Sequence, residues 1–138
     1  MRMLFLPLLM LPAALLGACT QTQADVERAQ VREAGVQEKL AKELAGLVPG
    51  KPVSCINQFP QKQSSGYGAT ILYRASGNLV YRSDTVGGCE GIARGDVLVT
   101  QTPTGQLCRG DIARTFDQAS RFPTGSCSFG AFVPYRKP

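Results

Sequence analysis

Histidine is missing from all 138 residues of the chain. That excludes histidine-based catalytic triads and removes the commonest metal ligand. Close cysteine pairs of the C-x-x-C kind are missing too, so the cysteines do not read as a zinc site. No metal or cofactor is expected. Acids are scarce beyond residue 50, where only Asp84, Glu90, Asp96, Asp111 and Asp117 occur. A carboxylate-pair hydrolase needs two of them facing one cleft, whereas scattered acids are far more often turn residues or salt-bridge partners. An enzyme is therefore not the expectation. Spanning a bilayer takes roughly 20 apolar residues; the longest apolar stretch, residues 3–16, is shorter and broken by Pro7 and Pro12. Internal repeats, low-complexity blocks and basic–aromatic motifs are also lacking, so nucleic acid is not an expected partner.

What is present begins with Arg2, the apolar stretch and then Leu16-Gly17-Ala18-Cys19. A charged n-region, an apolar h-region and small residues before a cleavage point form a secretion signal. A cysteine directly after the small residues resembles a bacterial lipobox. That resemblance implies cleavage before Cys19 and acylation of Cys19, with palmitate among the expected chains. Residues 1–18 then form the signal and residues 19–24 a lipidated flexible tether. Thr20 and Gln21 follow the lipidation site with no aspartate. In lipoproteins of two-membraned bacteria that pattern implies a periplasm-facing anchor in the outer membrane.

Cys55, Cys89, Cys108 and Cys127 remain after Cys19. An even number in an exported chain implies two disulfides. Four cysteines allow three connectivities, and spacing leaves all of them open. The preferred expectation is Cys55–Cys127, joining the ends of the folded region, with Cys89–Cys108 clipping a hairpin. Each bridge is worth about 3–4 kcal/mol on chain-entropy grounds.

Residues 25–48 read as a helix, with Val36, Leu40, Leu44, Leu47 and Val48 on one stripe. Glu38 precedes Lys42 by one turn in the favourable order. Pro49, Gly50 and Pro52 supply the stop. The first half has few apolar residues, and Gly35 weakens it by roughly 1 kcal/mol against alanine. It reads as an exposed spacer whose second half docks on the domain. A coiled-coil seam would place Glu33 and Glu43 in its core, which counts against that alternative.

Residues 53–138 read as a mainly β domain, a small antiparallel sandwich or barrel. Residues 53–59, 69–74, 79–82, 97–102, 106–109, 112–116 and 129–133 are the strand-like runs. Ala75-Ser76-Gly77-Asn78 predicts one hairpin turn and Pro103-Thr104-Gly105 a second. Arg109-Gly110-Asp111 spells an adhesion tripeptide, read here as a bend at Gly110 with Asp111 bonding the backbone. The basic excess lies in this domain, not in the helix. Arg74, Arg82, Arg109 and Arg114 fall on predicted strands and are the candidate anion-binding residues, able to receive carboxylates or phosphates bidentately.

Ser54-Cys55-Ile56, Ile71-Leu72-Tyr73, Tyr81-Arg82-Ser83, Gly88-Cys89-Glu90-Gly91, Gln106-Leu107-Cys108-Arg109-Gly110-Asp111 and Cys127-Ser128-Phe129-Gly130-Ala131-Phe132-Val133-Pro134-Tyr135 appear in this order. Together they resemble a family of small cysteine-containing proteobacterial lipoproteins of the sphingomonad type. The resemblance implies architecture and location but no activity. The leading functional expectation is a membrane-anchored, non-enzymatic binding or scaffolding module. Its partners would be the membrane, through the Cys19 lipid, and an anionic envelope component or a protein. A periplasmic inhibitor of a lysozyme-like enzyme is the first alternative. A carboxylate-dependent hydrolase is the second.

Overall fold

The computed structural model describes residues 22–59 and 63–138. The lipobox residues Leu16, Gly17, Ala18 and Cys19 lie outside the described residues. The elements run α1 (Gln23–Glu43), β1 (Val48–Pro49), β2 (Cys55–Asn57), β3 (Gln63–Tyr67), β4 (Thr70–Ser76) and β5 (Leu79–Gly87). A 3-10 helix (Glu90–Arg94) follows, then β6 (Val97–Thr100), β7 (Gln106–Cys108), β8 (Ile112–Phe116) and β9 (Pro123–Arg136). The fold is mainly β, with one N-terminal helix and two disulfides. No described helix is long and apolar enough to cross a membrane.

β3, β4, β5, β9, β8 and β6 form one antiparallel sheet in that order, and β1 also pairs with β9. β9 is its spine. One edge of β9 carries β5, while the other carries β8, the Val53 bridge to Phe132 and β1 in succession. The β5–β9 register shifts between Ser83 and Thr85, which face Phe132 and Phe129, so β9 holds an extra residue there. Such a bulge bends the strand and sharpens the local twist, which curls the sheet. Gly130 sits at the bulge because a Cβ there would run into the Asp84 carbonyl oxygen.

The main core lies on one face of this sheet. Phe129 and Phe132 from β9, Ile71 and Tyr73 from β4 and Ala113 from β8 pack against Ile56 and Leu107 of the small β2–β7 sheet. The opposite face carries a smaller cluster in which Leu40 of α1 meets Leu72 and Val80. Leu44, Leu47, Tyr67 and Tyr135 close around it.

The structure departs from the sequence expectations in the helix, the second hairpin and the disulfide connectivity. The helix expected over residues 25–48 instead spans Gln23–Glu43. Thr22 starts it early, its hydroxyl and the Asp25 carboxylate satisfying each other's backbone N–H groups in a capping box. Gly46 at φ 74° turns the chain out, so Leu47 docks from a loop and Val48 pairs in β1 with Arg136. The second hairpin does not form: β6 pairs with β8 and β7 with β2. The expected disulfides Cys55–Cys127 and Cys89–Cys108 are replaced by Cys55–Cys108 and Cys89–Cys127.

The strand register explains the disulfide correction. Cys55 and Cys108 lie directly opposite on β2 and β7. Gly87 lies opposite Cys127, which brings Cys89, two residues on, within reach of it. The bridges are interleaved, not nested. The β3 strand was not foreseen, because Gln-Ser-Ser-Gly-Tyr carries no alternating apolar signal. The hairpin at residues 75–78 forms as expected, with β4 and β5 running into Gly77 and Asn78.

Candidate functional site

Alternation along the strands sorts the sheet into two faces, and the pairings carry that sorting across it. On the helix-bearing face Leu72 is opposite Arg82 and Val133, and Arg74 is opposite Val80 and Tyr135. The same parity continues through Val86 to Ser128 and Ile112, and through Ser126 to Arg114 and Val99. Phe116 and Val97 form the last row. Arg74, Arg82 and Arg114 therefore share one face. Arg109 does not, since it follows β7 and its amide donates to the Ser54 carbonyl.

The face has two halves with different fates. Over β4, β5 and the end of β9 it is covered by α1. There Arg74 Nη2 pairs with Glu43 Oε2 of the helix at 3.0 Å. Tyr67 bonds the same carboxylate; burial first, and then the Glu43 charge, hold its phenol above the ordinary 10.0. Arg82 Nε pairs with Asp84 Oδ1 at 3.0 Å. Burial works against the Arg82 charge, but its bonds to Asp84 and Tyr135 outweigh it and keep the guanidinium firmly protonated. Both arginines are committed to structural pairs.

The other half has no cover among the described residues. Val86 is 76% exposed, Ile112 54%, Val97 45% and Val99 42%, and Phe116 is half-buried. Arg114 stands exposed in the middle row, between Val99 and Ser126. No acidic partner of Arg114 occurs among the described residues. A hollow of about 380 Å³ runs along Val99, Ile112, Arg114 and Phe116 to Gly110 and Asp111. A second, of about 290 Å³, lies over Val97, Val99 and Phe116 beside Asp117 and Arg121.

The acids near these hollows are already used. Asp111 Oδ2 accepts from the Cys108 amide at 2.7 Å, and Gly110 takes a left-handed φ of 90°. The Arg109-Gly110-Asp111 tripeptide is thus the bend read from sequence. Asp117 Oδ1 accepts from the Ser120 amide and hydroxyl and the Ala119 amide. Those bonds, Ser120's first, hold its carboxyl below the usual carboxylate value. Asp117 thereby fixes the β8–β9 turn, whose tip presents Arg121 at φ 61° and Phe122 at 72% exposure. A non-glycine residue in that region is costly and persists only where its surroundings impose it.

Of the four candidate arginines, Arg114 alone is unpaired on the open half. Sequence reasoning missed Val97, Val99, Phe116 and Arg121. One signal was available: Val97-Leu98-Val99 is apolar at every position, which puts apolar side chains on both faces of the strand. Among the described residues no group of three or more acids and cysteines is placed to hold a metal ion. No family model, curated protein or solved structure matches the chain.

Proposed function

We propose that this protein is a lipid-anchored, non-enzymatic binding module of the bacterial envelope, held through Cys19 and meeting its partner with the open half of the helix-bearing face. Leu16-Gly17-Ala18-Cys19 supports the anchor. The observation that carries the binding role is the uncovered row of Ile112, Arg114 and Phe116 flanked by Val86, Val97 and Val99. Contiguous exposed apolar surface on a small protein marks interaction sites, and a central arginine supplies the polar anchor that interfaces favour. The domain acids support a non-enzymatic reading. Asp84, Asp96, Asp111 and Asp117 are each engaged by neighbouring groups, and Asp111 and Asp117 line separate hollows.

One feature favours the inhibitor reading as a second possibility. The turn carrying Arg121 and Phe122 is pinned by Asp117, and a rigid cationic–aromatic tip suits an acidic cleft. Crosslinking in intact cells, followed by purification from membranes, tests both. An envelope protein linked through residues 97–116 is the expected product. A stable, inhibited lysozyme complex lost on Arg121→Ala or Phe122→Ala would favour the second reading instead.

A further inference from the structure

We propose that Cys55–Cys108 is a thiol–disulfide exchange site, opened and reclosed by an external dithiol through attack on Cys55, while Cys89–Cys127 stays shut as the structural bridge. The site is separate from the open face and does not rest on the binding role. Two bonds of the same chemistry sit in opposite surroundings. Cys89 and Cys127 are 2% and 3% exposed, inside the main core with Ala113 and Phe129. The chain around them is closely packed. The Gly88 amide donates to the Ser126 carbonyl at 2.9 Å, and a Cβ on Gly125 would strike the Gly88 carbonyl oxygen. Cys55, in contrast, is exposed and Cys108 is half-buried. Alternation along β2 and β7 sends Ile56 and Leu107 inward and turns the cysteines outward with Asn57 and Gln106. Exchange requires a thiolate to reach a disulfide sulfur, so access decides which bridge reacts.

The two cysteines are also held in place without their bond. Two residues before Cys55, Val53 exchanges both backbone bonds with Phe132 of β9, at 2.8 and 2.9 Å. Two residues after Cys108, the Gly110 amide donates to the Phe129 carbonyl at 2.9 Å, and the Phe129 amide donates to the Asp111 carbonyl at 3.1 Å. Ile56 and Leu107, 4% and 1% exposed, anchor the same strands in the core. Reduction therefore leaves two thiols facing each other on a fixed frame, ready to reclose. In the first step a dithiol's thiolate attacks Cys55 Sγ, the Cys55–Cys108 bond breaks, and Cys108 leaves as a thiolate. The dithiol's second sulfur, as its thiolate, then attacks its own half of the mixed disulfide and releases Cys55. The dithiol ends as a disulfide, and its two electrons and two protons end on Cys55 and Cys108.

The test treats the full exported chain, folded and oxidised, with dithiothreitol at 25 °C, and maps alkylated cysteines over time by mass spectrometry. Cys55 and Cys108 should become labelled at least about 100-fold faster than Cys89 and Cys127, whose exposure needs sub-global opening. Near-UV circular dichroism should persist after that first reduction, and oxidised glutathione should then restore the 55–108 link. With reduced glutathione and a maleimide quench, glutathione is expected on Cys55 and maleimide on Cys108. A Cys55→Ser, Cys108→Ser double variant should melt at a lower temperature yet remain folded at 25 °C, with Cys89–Cys127 still resistant. Both bridges opening together, neither opening, or Cys89–Cys127 opening first would overturn the proposal. So would loss of tertiary signal on the first reduction, unfolding of the double variant, or reoxidation to other pairings. Glutathione on Cys108 in place of Cys55 would overturn the assigned point of attack.

Discussion

Tyr73 is the residue whose surroundings set the strongest condition on the fold. It packs against Phe129 and Phe132 with ring centroids 6.0 and 6.3 Å away, deep in the main core. Burial drives its phenol far above the ordinary 10.0. A group raised in the folded state stabilises below its unfolded pKa and loses that contribution as pH rises beyond it. The melting temperature should therefore fall above pH 10, the ordinary tyrosine value. Tyr73→Phe should flatten that fall while leaving the neutral-pH value within a few degrees. A fall of equal steepness in the variant would assign the alkaline limb to another group. At this scale the sequence was readable where one side chain acts on its own neighbours: Asp111 bonds the backbone beside its own bend. It was unreadable where the partner is distant. Glu43 and Arg74 meet across 31 positions, and no local pattern links them.

Helix α1 divides into a projecting part and a docked part. Residues 22–32 are exposed, while Glu33 and Val36 are the first to approach the sheet, near Gly68. At 1.5 Å per residue the free part reaches about 16 Å. Leu40, 3% exposed, carries the docking. Leu40→Ala should cost about 2–5 kcal/mol, the range for emptying a buried leucine site. Glu43→Gln should cost about 1 kcal/mol or less, because its pair with Arg74 is near half-exposed on both sides. Thermal melts of the two variants compare them directly, and equal losses would mean that the ion pair, not the stripe, holds the helix. The 3.6-residue stripe was legible because Leu40 and Leu44 obey it. Its end was not, because Leu47 keeps the spacing although Gly46 has already turned the chain. Likewise, residues 97–102 and 106–109 flank a credible turn, yet each finds its partner elsewhere in the chain. Strand runs are local in origin; pairings are decided by the whole sheet.

For the whole molecule, two interleaved disulfides tie the layers together. Cys55–Cys108 closes the small sheet onto itself, and Cys89–Cys127 fastens the 3-10 helix to β9. With sequence separations of 53 and 38, chain entropy assigns each about 4 kcal/mol. That is a large share of the 5–15 kcal/mol typical of a domain. Peptide mapping of the exported, non-reduced protein should recover the 55–108 and 89–127 links; 55–127 and 89–108 would refute the sheet register. The two disulfides were legible from an even cysteine count behind a secretion-signal pattern, whereas their connectivity depends on the register that sets Gly87 opposite Cys127.

The proposed lipid on Cys19 would hold the open face in the envelope. Metabolic labelling with a clickable palmitate analogue, on wild type and Cys19→Ala, tests it most directly. Label on the wild-type membrane-fraction protein, and none on the variant, is the expected result. A wild type that stays unlabelled, or a variant that labels equally, would contradict it.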